Sequence, residues 1–286
     1  MLPSGYAVDL GGTKIAAARI AAGKVTARLQ VATDRRAGVA AQVDEMAVLL
    51  AKLGHRKGDP LGVAVTGRVD RGGNWHAVNT GTLQAITSAP LGQMLIDRFG
   101  PLTRALNDAA SAALAEAHLG AGQGAVNFAY LTVSTGIGGG LVFGGRLLES
   151  DTGLAGHVGF TTSRLSDTLC GSGRTGTVES VAGGRAIAAA AGLPDARAVF
   201  ASPAHDAVIA RAAAAVAGLV ADLTAILGLD RVAVGGSIGL ADGFLSRVTA
   251  HLANEPALFQ TPVVTAALCH DSGLIGALLA ATRGRG

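Results

Sequence analysis

The feature that most limits how this chain can fold is a pattern of apolar strand, glycine turn and apolar strand that occurs twice. Near the N-terminus, Tyr6-Ala7-Val8-Asp9-Leu10-Gly11-Gly12-Thr13-Lys14-Ile15-Ala16-Ala17-Ala18-Arg19 reads as two short strands about a Gly-Gly-Thr turn. At mid-chain, residues 127–143 repeat the form around Ser134-Thr135-Gly136-Ile137-Gly138-Gly139-Gly140. Two copies imply two related halves, each of order β-β-β-α-β-α, and hence α/β architecture with mixed sheets. With only two copies and no short period, a repeat solenoid is excluded.

Asp9 is the anomaly of the first copy. An acidic residue inside a strand otherwise built for burial is costly unless a charge sits opposite it, and paired glycines let backbone N–H groups approach that charge closely. A metal-bound polyphosphate meets both requirements. Amide dipoles and the Thr13 hydroxyl would hold phosphate oxygens while Asp9 positions Mg²⁺ through water. An ordinary two-residue hairpin is the other reading of this copy taken alone. The turn is not a Walker loop, because Gly-x4-Gly-Lys-Ser/Thr is absent and a strand follows the glycines; nor does a Gly-x-Gly-x-x-Gly open a helix after the first strand, as a dinucleotide-binding dehydrogenase requires.

Of the 286 residues, 49% are hydrophobic and 15% charged, enough for a sizeable core and against disorder. A net charge of +3 and 3% aromatics provide neither a phosphate-tracking stripe nor a stacking platform, so nucleic acid is not an expected partner. Cys170 and Cys269 lie far apart and form no CxxC, which points to a reduced compartment. No signal-like segment is found. Residues 207–229 come closest to a spanning run, but Arg211 and Asp222 interrupt them. The expectation is a cytoplasmic protein with no membrane partner.

Periodicity predicts a third strand at 24–32, a helix at 39–53 and a buried strand at 61–67 with Arg68 at its tip. Residues 70–79 read as a small hairpin or loop, closed by Asn79 and Thr80. Further helices are expected at 90–98, 109–119, 179–191, 207–227, 240–253 and 272–281, and strands at 103–106 and 232–237. Residues 144–176 form a loop-rich, polar and glycine-rich excursion. Asn107-Asp108 falls where a strand end meets a helix start. A carboxylate there can act as a base in a cleft or simply cap the helix.

Asp-Leu-Gly-Gly-Thr-Lys with Ser-Thr-Gly-Ile-Gly-Gly-Gly resembles the ROK family of sugar kinases, over nearly the whole chain. The resemblance implies the two-lobed actin-like ATPase (ribonuclease H-like) fold, with ATP and a sugar bound in the interlobe cleft. The lobes would comprise residues 1–108, completed by 272–286, and residues 109–271. Asp108 would be the catalytic base, with Gly67, Arg68, Asn79, Thr80, Asn107, His157 and Glu179 around the sugar. ATP would lie on Asp9, Gly11, Gly12, Thr13, Lys14, Thr135, Gly136, Gly235 and Gly236, with Mg²⁺ at Asp9. Lys14 is equally readable as a solvated strand-end lysine. Many members bind structural zinc through a His and three Cys. Here His157 and Cys170 remain, while Ser172 and Thr177 stand where the second and third cysteines would be, so zinc is not expected. Leu154 stands where many members have a sugar-binding Glu.

Gly153-Leu154-Ala155-Gly156-His157, Gly67-Arg68 followed by Thr80, and residues 234–243 look most like the N-acetylmannosamine kinase branch. Glucokinases and other hexose or N-acetylhexosamine kinases are the alternative, and the acceptor is a small-molecule sugar in either case. The family also contains DNA-binding repressors, which carry a winged helix-turn-helix ahead of the sugar domain. Here the Asp9 hairpin begins within ten residues of the first. A non-catalytic sugar sensor is a further reading. Family precedent implies a homodimer formed through the larger lobe.

Overall fold

The computed structural model describes residues 2–78 and 85–283. Its first half runs β1 (Gly5–Leu10), β2 (Lys14–Ala21), β3 (Lys24–Ala32), α1 (Val39–Leu53), β4 (Leu61–Val65), β5 (Arg68–Val69), β6 (Trp75–His76), β7 (Ser88–Ala89), α2 (Leu91–Phe99), β8 (Thr103–Asn107) and α3 (Asp108–Leu119). The second half runs β9 (Asn127–Val133), β10 (Ile137–Phe143), β11 (Arg146–Leu147), α4 (Glu179–Ala182), α5 (Gly184–Ala191), α6 (Ala196–Phe200), α7 (Asp206–Leu227), β12 (Arg231–Gly235), α8 (Gly236–Gly239), α9 (Phe244–Leu252) and β13 (Val263–Thr265). A last helix, α10 (Ser272–Arg283), follows.

The duplication is visible as one topology used twice. The first sheet has the order β3-β2-β1-β4-β8 and the second β11-β10-β9-β12-β13. In each, three strands form an antiparallel meander and the remaining two continue in parallel from its first strand. α1 forms because Val43, Met46, Leu49 and Leu50 share one face, which is buried against the first sheet. It ends at Gly54, whose φ of 90° is the left-handed stop that glycine takes without strain.

Two expected helices are broken. The 179–191 segment divides into α4 and α5, because Gly183 is extended and the Gly184 N–H donates to the Ser134 carbonyl at 2.7 Å instead of continuing the helix. The 240–253 segment begins as a helix only at Phe244, after Gly243 turns with φ 77°. β12 ends at Gly235 and α8 starts at Gly236, so the strand expected over 232–237 stops two residues early. β5, β6 and β7 pair as a small three-stranded sheet, so the 70–79 segment read as a hairpin or loop contributes a strand to it.

α3 and α10 are pressed together at the centre. A Cβ on Gly276 would lie 1.6 Å from the Ser111 carbonyl oxygen, so only glycine allows the approach. On one side, α3 turns its alanines to β10, where a Cβ on Gly140 would come within 2.4 Å of the Ala113 Cβ. On the other, Leu274, Leu278 and Leu279 of α10 share a core with Ala7, Ala18 and Leu106 of the first sheet. Residues 203–227, which include α7, are long and apolar enough to cross a membrane by length and composition. The buried face of α7, including Ile209, Val216, Leu219 and Val220, is part of the core beneath the second sheet.

Candidate active site

The carboxyl ends of β1, β4 and β8 lie side by side, with Leu10 paired to Val65 and Val65 to Asn107. Loops leaving such ends form the ligand crevice of open α/β sheets. Here they open into a cleft of about 1000 Å³, whose walls include Gly11, Gly12, Thr13, Asn107 and Asp108 from one half and Ser134 to Gly138, His157 and Glu179 from the other.

At the strand-to-helix junction Asn107 is the cap. Its Oδ1 accepts the Ala110 N–H at 3.0 Å, and its Nδ2 donates to the Gly67 carbonyl at 2.7 Å and to Asp108 Oδ1 at 2.9 Å. Asp108 Oδ1 also accepts the Ala109 N–H at 2.8 Å. Burial, and secondly the charge of Asp9, push the Asp108 carboxyl up to about 7. Asp9 is itself raised by burial, with the positive charges of Lys14 and Arg28 opposing the shift. Asp9 is thus close enough to raise Asp108, which lines the cleft, and burial disfavours the anion of each.

Two glycine turns line the cleft, and a third, outside its lining, lies against the second. In the first, Gly11 N–H donates to the Lys14 carbonyl at 3.0 Å, and the Thr33 hydroxyl fixes the Gly11 carbonyl at 2.8 Å. The second is tied to α5 through Gly184 and Arg185, whose N–H groups donate to the carbonyls of Ser134 and Thr135. In the third, Gly236 has φ 85°, and a Cβ there would lie 2.3 Å from the Val133 carbonyl oxygen. Beneath it, a Cβ on Gly235 would meet Tyr130 Oη at 2.5 Å. The Ser134 and Ser237 hydroxyls, 3.0 Å apart, join the second turn to the third. Lys14 is exposed at the start of β2.

On the other side of Asp108, Gly67 turns with φ 95°, and Trp75 Nε1 donates to the Thr66 carbonyl at 2.8 Å. Arg68 donates to the Thr152 carbonyl at 2.5 Å, so its guanidinium joins the two halves. His157 Nδ1 donates to the Leu154 carbonyl at 3.2 Å, while its buried Nε2 has no hydrogen-bond partner. Burial holds the imidazole pKa below its ordinary value. The neutral ring therefore offers an unused acceptor. Glu179 Oε2 accepts the Ile137 N–H at 3.0 Å, and burial raises its pKa. Asn79 and Thr80 lie outside the described residues.

Residues 5–283 match the ROK family. The chain belongs to the ROK family. It is 40% identical over 285 residues to the N-acetylmannosamine kinase of Shigella boydii, covering 96% of this chain and 97% of that protein. It is 41% identical over 288 residues to the N-acetylmannosamine kinase of Citrobacter koseri, covering 97% and 98%. Among solved structures it is similar to a ROK hexokinase from Thermus thermophilus, with a TM-score of 0.82, 32% identity and 96% coverage of both chains. A ROK glucokinase from Streptomyces griseus, in complex with glucose and AMPPNP, superposes with a TM-score of 0.80 at 25% identity, covering 98% of this chain and 99% of that one. The fold is that of the actin-like ATPases.

The Cys170, Ser172 and Thr177 positions, at which the resemblance leads to no zinc being expected, are held in hydrogen bonds. Cys170 Sγ lies 3.0 Å from the Ser172 hydroxyl. Burial pushes the thiol up, but hydrogen bonds from Ser172 and Thr177 outweigh it and leave the pKa below its ordinary value. Thr177 is fully buried, and its hydroxyl accepts the Ser180 N–H at 3.2 Å while the Ser180 hydroxyl accepts the Thr177 N–H at 3.0 Å. The hydroxyls are committed to the loop, and one thiol is a poor basis for a tetrahedral zinc site. Among the described residues, no three His, Cys, Asp or Glu side chains gather to hold a metal. Neither Glu179's bond to the second turn nor Thr33's hold on the first was signalled by motif or periodicity.

Proposed function

We propose that the protein transfers the γ-phosphoryl group of ATP to the 6-hydroxyl of N-acetylmannosamine, giving ADP and N-acetylmannosamine 6-phosphate. The observation that carries the chemistry is Asp108, whose pKa of about 7 suits a base working near neutral pH. Asn107 and the Ala109 N–H hold Oδ1. Oδ2 is left to take the hydroxyl proton as the sugar oxygen bonds to phosphorus and the bridging P–O bond to the ADP oxygen breaks.

The glycine turns fit a nucleotide because glycine backbone can come close to it. Gly12 and Thr13 on one side and Thr135 and Gly136 on the other offer amides and hydroxyls to phosphate oxygens, Gly11 shaping the turn while its own N–H bonds the Lys14 carbonyl, and Lys14 adds positive charge beside them. Gly235 and Gly236, packed against Tyr130 and the Val133 carbonyl, are assigned to the adenosine by their pattern. Buried Asp9, destabilised as an anion, fits a cation held through water. When bound there, Mg²⁺ would neutralise charge on the transferring phosphates.

Around the acceptor, Gly67 and Asn107 line one wall, Arg68 is assigned to the same sugar by its pattern, and the unpaired Nε2 of His157 accepts a hydrogen bond from a sugar hydroxyl. Glu179 adds an acceptor beside the second turn. Asn79 and Thr80 are assigned to the same sugar by their pattern. Residues 1–108 with 272–286, and residues 109–271, are taken as the two lobes. The free thiols of Cys170 and Cys269 fit a reducing cytoplasm.

The choice of N-acetylmannosamine over glucose rests on the relatives at 40% identity across nearly the whole chain. The test is the product. Incubation with Mg·ATP and N-acetylmannosamine should yield a phosphomonoester whose phosphorus couples to the C6 protons by NMR. An ester at another position, or ATP hydrolysis without sugar phosphate, would refute the assignment.

A further inference from the structure

Glu116 is a fully buried carboxylate in the last turn of α3, a helix otherwise lined with alanine. A negative charge there meets the negative end of the helix dipole, so its surroundings must hold it. Three backbone amides do. Oε2 accepts the N–H of Ala121 at 2.8 Å and of Ala267 at 3.0 Å, and Oε1 accepts that of Leu268 at 2.8 Å. Gly120 makes room for this, because a Cβ there would lie 2.1 Å from Oε2.

The donors come from two distant parts of the chain. Ala121 lies in the segment that leads from α3 into β9, and Ala267 and Leu268 lie in the segment that leads from β13 into α10. These are the two crossings between the second sheet and the central helix pair α3 and α10. One carboxylate therefore ties both crossings to the helix whose first residue is Asp108.

We infer that Glu116 is a positioning residue for phosphoryl transfer: by pinning both crossings to α3, it fixes how the Ser134-Thr135-Gly136 turn faces Asp108. This rests on the reading of Asp108 as the base. Glu116 touches neither substrate. Its effect is on alignment, to which transfer is far more sensitive than binding is.

Glu116→Gln tests the inference with little change of volume. With its oxygen toward Ala121 and Ala267, the amide NH₂ would oppose the Leu268 N–H and loosen the crossing into α10. The variant should fold but melt below the parent, and bind N-acetylmannosamine and Mg·AMPPNP with unchanged Kd when each is titrated alone. Its kcat should fall roughly 10- to 100-fold. X-ray scattering of the variant saturated with both ligands should differ from that of the saturated parent. Gly120→Ala, which displaces Oε2 while keeping the carboxylate, should act in the same direction and serves if Glu116→Gln does not fold. An unchanged kcat, or a loss of kcat that only follows weaker binding with parental scattering, overturns the inference. If the parent itself transfers no phosphate, the functional reading fails separately, and identical scattering of parent and variant with Mg·AMPPNP would still refute the positioning role.

Discussion

Asn107 donates through its side-chain amide to Asp108 Oδ1 at 2.9 Å, while its own oxygen caps α3 through the Ala110 N–H. The two residues divide the work at the junction. Because Asn107 supplies the cap, Asp108 is not needed for that role, and its second oxygen is available to a ligand.

Replacing Asp108 by Asn should therefore preserve the fold and sugar binding while removing the base. Turnover should fall by about 10²- to 10⁴-fold, with the sugar Kd by calorimetry close to the parent's. Near-normal turnover in the purified variant would reduce Asp108 to a structural role.

The pH dependence follows from the same carboxyl. Burial and then Asp9 raise it to about 7, and the base must be ionised to accept a proton. kcat/KM for the sugar should rise about tenfold per pH unit below that value and level off above it. Asp108→Asn should lack this limb. For stability the sign is opposite. The folded pKa exceeds the usual 3.8, so the stabilising contribution is complete below 3.8 and is lost as pH rises through about 7. Asp108→Asn should accordingly melt higher than the parent at pH 8, as scanning calorimetry would reveal.

Asp9→Ala should weaken use of Mg·ATP far more than sugar binding, since the carboxylate is assigned to the cation. Separate calorimetric titrations of nucleotide and sugar would check this. An equal loss of both would mean a folding defect.

The protein should fold and turn over without zinc. Ser172, Thr177 and Ser180 hold the loop between His157 and Glu179 through hydrogen bonds, where a metal would need more thiolates. Elemental analysis should find no stoichiometric zinc, and a zinc chelator with excess Mg²⁺ should leave activity intact. Hydrogen exchange across 158–178 should slow when sugar binds, because the loop is held by weaker bonds than a metal clip.

Much of this arrangement is legible in the sequence because its signals are local. The doubled strand and glycine turn predicts the doubled sheet, and Asn107-Asp108 can be read as a strand end meeting a helix. The helix break at Gly183 is less legible, since it depends on the Ser134 carbonyl some fifty residues away capturing the Gly184 N–H. Short β11 and β13 carry too few residues for periodicity to register. Arg68 reads as a cleft cation, yet its observed partner is the Thr152 carbonyl of the opposite half. Glu116 reads as an ordinary helix acid, because its partners at 121, 267 and 268 meet only after both halves have folded.

The central claim is that this cleft phosphorylates N-acetylmannosamine with ATP. The most direct measurement is a coupled assay of ADP formation across hexoses and N-acetylhexosamines, with kcat/KM determined for each. N-acetylmannosamine should rank first, ahead of N-acetylglucosamine and glucose. A higher kcat/KM for glucose, or no acceptor-dependent ADP formation with any of these sugars, would contradict it.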